Sequence, residues 1–109
     1  RGFFPIENRI PPRNAVLKAK KYGINLKDYK SKKLINSELK NSDLIFVFDV
    51  KNYLRPILNN KKIKRKLYFL GDLILSPVIK DPYGKSISYF DLTYSKILKA
   101  SNKFRELIK

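Results

Sequence analysis

The residues best suited to chemistry are Asp81-Pro82-Tyr83-Gly84, set between a strand-like region and a long amphipathic segment. A carboxylic acid on a stiff loop can hand a proton to a leaving oxygen and recover one from water. Pro82 would stiffen such a loop, and Tyr83 would offer a wall to an aromatic ligand. The same residue types also build an ordinary turn for backbone reasons alone. A second acid opens Asp49-Val50-Lys51-Asn52, directly after an apolar run. Asp49 and Asn52 are candidates for the rim of a site, although a carboxylate ahead of a helix is often only a partner for its amide hydrogens. Lys30-Ser31-Lys32-Lys33 is a solvated charge run or a basic loop that steers a phosphorylated ligand. No attacking group accompanies these residues. The chain has neither Cys nor His, so its hydroxyls lack the usual partner base. No glycine-rich phosphate loop opens a helix. The chain has a candidate acid and cannot carry out phosphoryl transfer alone.

Composition narrows the field. With 109 residues and 43% of them hydrophobic, the chain suits one folded domain and not a disordered tail. The absence of Cys removes disulfides and thiolate metal sites, and without His a zinc or copper centre would have carboxylates alone. Net charge is +16, from 25 Lys and Arg against 9 Asp and Glu, which taken alone favours polyanionic partners. The cations are spread over Lys18 to Lys33, Lys61 to Lys66 and Lys96 to Lys109 and not held in one stripe. A lysine-rich solubilising surface is therefore preferred to dedicated nucleic-acid binding. Apolar runs such as Leu44 to Phe48 are strand-sized and too short to cross a bilayer. With no charged-then-apolar leader, the expected compartment is the cytoplasm. The chain has no Met and begins at Arg1, a hint that the amino-terminal part of a longer product is missing.

The elements that would position these residues follow from periodicity. Pro11 to Tyr22 reads as a helix, with Pro11 and Pro12 in its first turn, Ala15, Val16, Ala19 and Tyr22 on one face, and Gly23 to stop it. A short helix is expected near Ser37 to Asn41, with Asn36 as a cap. Leu44 to Phe48 is apolar at every position, as in a strand covered on both faces. Asn52 is expected to cap a helix reaching about Asn59, with Pro56 tolerated near its first turn. Leu67 to Leu70 repeats the apolar run and ends at Gly71. Ile87, Phe90, Tyr94, Ile97, Ser101, Phe104 and Ile108 mark one face of a final helix capped by Ser86. Strands alternating with helices predict an α/β layer with a parallel sheet. Ligands of such sheets gather beyond the carboxyl ends of the strands, and both Asp49 and the Gly71 to Gly84 loop fall on that edge.

Taken in order, these segments resemble the low-molecular-weight protein-tyrosine phosphatases, with a bacterial and archaeal flavour around Gly2-Phe3-Phe4-Pro5 and Asp81 to Ser86. The resemblance runs through Gly2-Phe3, Pro12 to Gly23-Ile24, Lys30-Ser31-Lys32, Ser42 to Asp49 with Asn52, and Asp81-Pro82-Tyr83-Gly84. It implies a three-layer, flavodoxin- or Rossmann-like fold and a single, partial phosphatase domain over residues 1–109. In that family a Cys on a loop after the first strand attacks phosphotyrosine, and an Arg six positions later holds the phosphate. No metal or organic cofactor is needed. Carried over, Asp81 is the general acid and base, Tyr83 a substrate wall, and Asp49 and Asn52 lie near the rim. The implied partner is a tyrosine-phosphorylated protein, with no membrane; the resemblance leaves the oligomeric state open.

The departures are equally specific. The Cys loop, first strand and first helix would all precede Arg1. The family's sheet order puts that strand between the one ending near Phe4 and Leu44 to Phe48, so an open sheet edge and poor autonomous stability are expected. Tyr29 stands where many relatives have His, and Gly84 where animal enzymes have a second Tyr. The rival readings are an arsenate reductase-like thiol enzyme of the same fold and a non-catalytic basic module that binds phosphoproteins or nucleic acid.

Overall fold

The protein is described by a computed structural model covering residues 7–109. The strand end expected at Gly2-Phe3 lies outside the described residues. Helix α1 spans Arg13–Lys21 and ends at Tyr22, where the positive φ of Gly23 turns the chain. Helix α2 covers Asn36–Asn41, strand β1 Ile45–Val47, and helix α3 Val50–Asn59. A 3-10 helix, Lys61–Lys66, leads into strand β2 at Leu67–Phe69, and a second, Leu70–Ile74, follows it. Helix α4 closes the order at Ile87–Leu107.

The two strands pair in parallel, Ile45 with Leu67, Phe46 with Tyr68 and Val47 with Phe69. Alternation of side chains across the strands then sorts the layers. On one face Phe46 meets Phe104 of α4 with ring centroids 5.0 Å apart. On the other, Phe69 stacks on Tyr53 of α3, also at 5.0 Å. This helix–sheet–helix layering is the α/β class expected from the alternating pattern. Among the described residues, β1 pairs with β2 and no other strand.

The closed part of the core lies under α4, where Leu70, Ile79 and Ala100 are buried together, with Phe46, Leu73, Ile74 and Ile97 packed against them. Gly71 is essential to this corner, because a Cβ there would overlap the Ser76 carbonyl oxygen. Helix α1 docks on α4 through a polar cluster. Lys21 Nζ donates to Asp91 Oδ1 at 2.9 Å, Tyr22 Oη to the same atom at 3.0 Å, and Tyr94 Oη to the Ala15 carbonyl at 3.0 Å.

Four local expectations need correction. Asn36 lies inside α2, whose N-cap is Ile35 and carries no side-chain cap. Helix α3 starts earlier than expected: Asp49 is its N-cap, accepting from the Asn52 amide, so Asn52 is the capped residue and not the cap. Pro56 consequently lies in the helix interior, forgoing a bond to the Asn52 carbonyl, and is buried. In α4 the deepest residue is Ala100, while Ser101 and Ile108 are exposed, because only a small side chain fits where the helix meets the second 3-10 helix. Ser86 does occupy the N-cap position of α4, but its hydroxyl pairs with that of Ser88 at 2.9 Å and not with a helix amide.

Candidate active-site groove

Just beyond the carboxyl end of β1 the chain brings the acid loop to the strand. The Ile79 amide donates to the Phe48 carbonyl at 2.9 Å, and the Ile79 side chain is buried at 1% exposure. From the other side, Thr93 Oγ1 of α4 donates to the Lys80 carbonyl at 3.2 Å. The residue before Asp81 is thus held by α4 and the one before that by the strand tip. Beyond Asp81 the chain turns: the Lys85 amide donates to the Pro82 carbonyl at 2.9 Å, and Gly84 takes a φ of +75°. That is the geometry of a type II turn, which favours glycine at its third residue. The turn chemistry read from Asp, Pro and Gly is real, and it coexists with a position beside the carboxyl end of β1.

Asp81 opens into a groove of about 800 Å³ that runs along β1, from Ser42 and Leu44 past Phe46 and Phe48 to Asp49, Asn52 and Arg55. Three of the four residues singled out from the sequence therefore line one cavity: Asp81, Asp49 and Asn52. Tyr83 sits on the same loop but is 62% exposed and is not among the residues walling the groove. Its amide instead donates to Asp81 Oδ1 at 2.9 Å. One carboxylate oxygen of Asp81 is thus oriented by its own loop, and among the described residues the other, Oδ2, takes no hydrogen bond. An exposed carboxyl with one tethered and one open oxygen is suited to passing a proton without losing its orientation.

Asp49 has a structural duty as well. Its Oδ1 accepts the Asn52 amide at 2.8 Å, satisfying one of the unpaired donors at the start of α3. The basic loop is also tied down. Ser31 Oγ accepts from the Arg9 amide at 3.0 Å, and backbone bonds join Ser31 to Asn8 and Arg9. Of that loop, Lys33 reaches an adjoining hollow of about 620 Å³ that shares Leu39, Arg55 and Pro56 with the main groove. Shifted titrations are found at the contact of α1 with α4. Hydrogen bonds from Lys21 and Tyr22 hold the Asp91 carboxyl below its ordinary value, the bond to Asp91 raises Lys21, and burial raises Tyr22 and Tyr94.

Sequence reasoning overlooked Lys51 and Arg55, which also line the groove. Helical spacing could have found Arg55, because residues three and four apart share a face. It also overlooked Ile79 and Thr93, whose anchoring of the acid depends on a strand and a helix distant in sequence.

Fold and groove together define an α/β protein with a groove reaching the carboxyl end of a parallel strand. The family model for low molecular weight phosphotyrosine protein phosphatase matches residues 2–109. The chain belongs to that family. A curated relative, the probable low molecular weight protein-tyrosine-phosphatase AmsI of Erwinia amylovora, is 29% identical over 90 residues, covering 83% of this chain and 62% of the relative. The chain thus spans less than two thirds of that protein's length. The crystal structure of Erwinia amylovora AmsI superposes with a TM-score of 0.86 at 25% identity, over 94% of this chain and 68% of that one. The tyrosine phosphatase Wzb from Escherichia coli K30, in complex with sulphate, has a TM-score of 0.87 at 23% identity, over 95% and 73% of the two chains. These neighbours share the flavodoxin-like α/β fold. No helix among the described residues is long and apolar enough to cross a membrane.

Proposed function

We propose that the protein acts in the hydrolysis of phosphotyrosine monoesters on proteins, and that this chain supplies the general acid and base, Asp81. The observation that supports the reading is the bond from the Ile79 amide to the Phe48 carbonyl, which sets the Asp81 loop against the groove at the tip of β1. In the reaction a thiolate attacks phosphorus and the bond from phosphorus to the aryl oxygen breaks. The departing oxygen takes its proton from Asp81. Water then attacks the phosphocysteine, Asp81 accepts its proton, and the phosphorus–sulfur bond breaks to restore the thiolate. Tyr83, exposed on the same loop and outside the groove's walls, meets the substrate ring at the groove's mouth, and Asp49 and Asn52 belong to the rim.

The 109 residues contain no Cys, so the thiol must come from outside them, and the chain alone is inactive on this reading. The proposed arrangement is a partial domain whose Cys loop and first strand precede Arg1, the strand lying along the open edge of β1. The open groove beside that edge and the family's Cys chemistry are consistent with it. Reading the coding sequence ahead of Arg1 is the direct test. A strand followed by Cys, five residues and Arg is expected there, and its absence overturns the enzymatic reading. With that loop in place, p-nitrophenyl phosphate should be hydrolysed. Asp81→Asn should then lower kcat about 100-fold or more, within the usual contribution of general acid–base catalysis. A variant that keeps its rate would remove Asp81 from the mechanism.

A further inference from the structure

Residues 50–71 carry seven Lys and Arg and no Asp or Glu, a one-signed stretch bounded by Asp49 and Asp72. The fold gathers it into one lobe, because the 3-10 helix Lys61–Lys66, with Ile63 buried, follows α3 closely and contacts it. Lys66 fastens this lobe to the groove, its Nζ donating to the Lys40 carbonyl at 2.9 Å and to that of Ser42, a groove residue, at 2.7 Å. Lys61, Lys62, Lys64 and Arg65 are exposed, and among the described residues none of the four side chains takes part in an ion pair. A set of like charges held together without counter-ions costs self-repulsion, which an anionic partner relieves.

We infer that this lobe is a docking surface for an acidic, extended polypeptide segment. Three of these four cations are Lys, compact point charges that attract carboxylates without demanding a fixed geometry, as suits a flexible, extended segment. Of the neighbouring aromatic rings, Tyr53 and Phe69 stack on each other at 5.0 Å and 12°, and Tyr68, 47% exposed, is tied through its hydroxyl to the Arg65 carbonyl, so a single ring is open where a strand of bases needs successive stacking platforms. Six residues of 3-10 helix span roughly 12 Å, about the reach of four extended residues. Because α3 forms both a wall of the groove and the bed of the lobe, a polypeptide lying in the groove continues naturally onto it. On the phosphatase reading that segment flanks the phosphotyrosine, but the docking needs no catalysis and its test is independent of that reading.

The test is fluorescence anisotropy of the 109-residue chain with a labelled Glu-rich peptide and its Gln counterpart, across a salt series. The quadruple reversal K61E/K62E/K64E/R65E is compared with K99E/K103E/R105E on α4, across the sheet, joined to K109E just past its end, which changes net charge by the same amount. The first should weaken binding about tenfold or more and the second less than about threefold, as local and not net charge decides docking. In the unaltered chain, bound peptide should shield Lys61, Lys62 and Lys64 from acetylation and leave Lys99 and Lys103 reactive. Equal losses from both variants, no difference between Glu and Gln peptides, or uniform shielding each overturn the proposal. Tighter binding of duplex DNA through the same four residues overturns it in favour of nucleic acid.

Discussion

The two sides of β1 are built differently. Toward β2 and α4 the strand faces a closed corner in which Leu70, Ile79 and Ala100 are 8%, 1% and 0% exposed. On its other side it faces the groove, where Leu44 and Phe48 remain 44% and 39% exposed. Packing on the closed side fixes the position of the acid loop, and openness on the other leaves room for whatever the acid serves. Rigidity and access are thus divided between the two sides of one short strand.

The contrast can be broken most severely at Gly71. Gly71→Ala puts a methyl group into the Ser76 carbonyl, and a loss of about 3 kcal/mol or more is expected, as for other substitutions that force backbone movement. Urea unfolding measures it, and a near-neutral result would show that this corner yields. Next comes a paired comparison. Ile79→Ala should cost ~2–5 kcal/mol as a core truncation, and protease should then cut more readily near Asp81. Leu44→Ala, on the open side, should cost less than ~1 kcal/mol. Equal losses would erase the distinction between the two sides.

A smaller effect is expected at the groove's rim. Asp49→Ala removes the cap of α3 and should lower stability by ~1 kcal/mol, whatever its effect on activity. Retained stability, read from the same urea curves, would mean the cap is replaced by water. The smallest effect concerns the α1–α4 contact. The Lys21 and Tyr22 hydrogen bonds hold the Asp91 carboxyl below its ordinary value of 3.8. A carboxyl lowered on folding contributes stability that is fully present above its unfolded value and is lost as pH falls through its folded one. Asp91→Asn should therefore melt about 2–4 °C below the unaltered protein at neutral pH. The gap should close below about pH 4, and thermal melts across that range would show it. A gap that persists in acid would assign the contact to packing and not to charge.

Much of this was legible in the residues. The apolar runs at Leu44 to Phe48 and Leu67 to Leu70 identified the two strands among the described residues, Gly23 and Gly84 marked turns at positive φ, and Gly71 marked the end of the second run. Helix starts were read less well. At Asn36 and Asn52 the sequence offers a plausible capping side chain, yet neither is the cap, whereas Ser86 is the N-cap of α4 without a side-chain bond to a helix amide. Capping depends on which residue first leaves extended geometry, and that is settled by how the strand before it is held. The face of α4 was read from large side chains, so Ala100 was overlooked although it is the most deeply buried residue of the helix.

The sequence by itself determined the α/β class, the turn at Asp81 and the absence of any thiol, because periodicity, backbone preference and residue chemistry are local properties. Only the tertiary structure decided that Asp81, Asp49 and Asn52 line one groove while Tyr83 stands outside its walls. It alone gathered residues 50–71 into a single cationic lobe at the groove's edge. Both outcomes depend on contacts between segments far apart in the chain, such as the Ile79 amide on the Phe48 carbonyl and the Lys66 ammonium on that of Ser42, which no local pattern records.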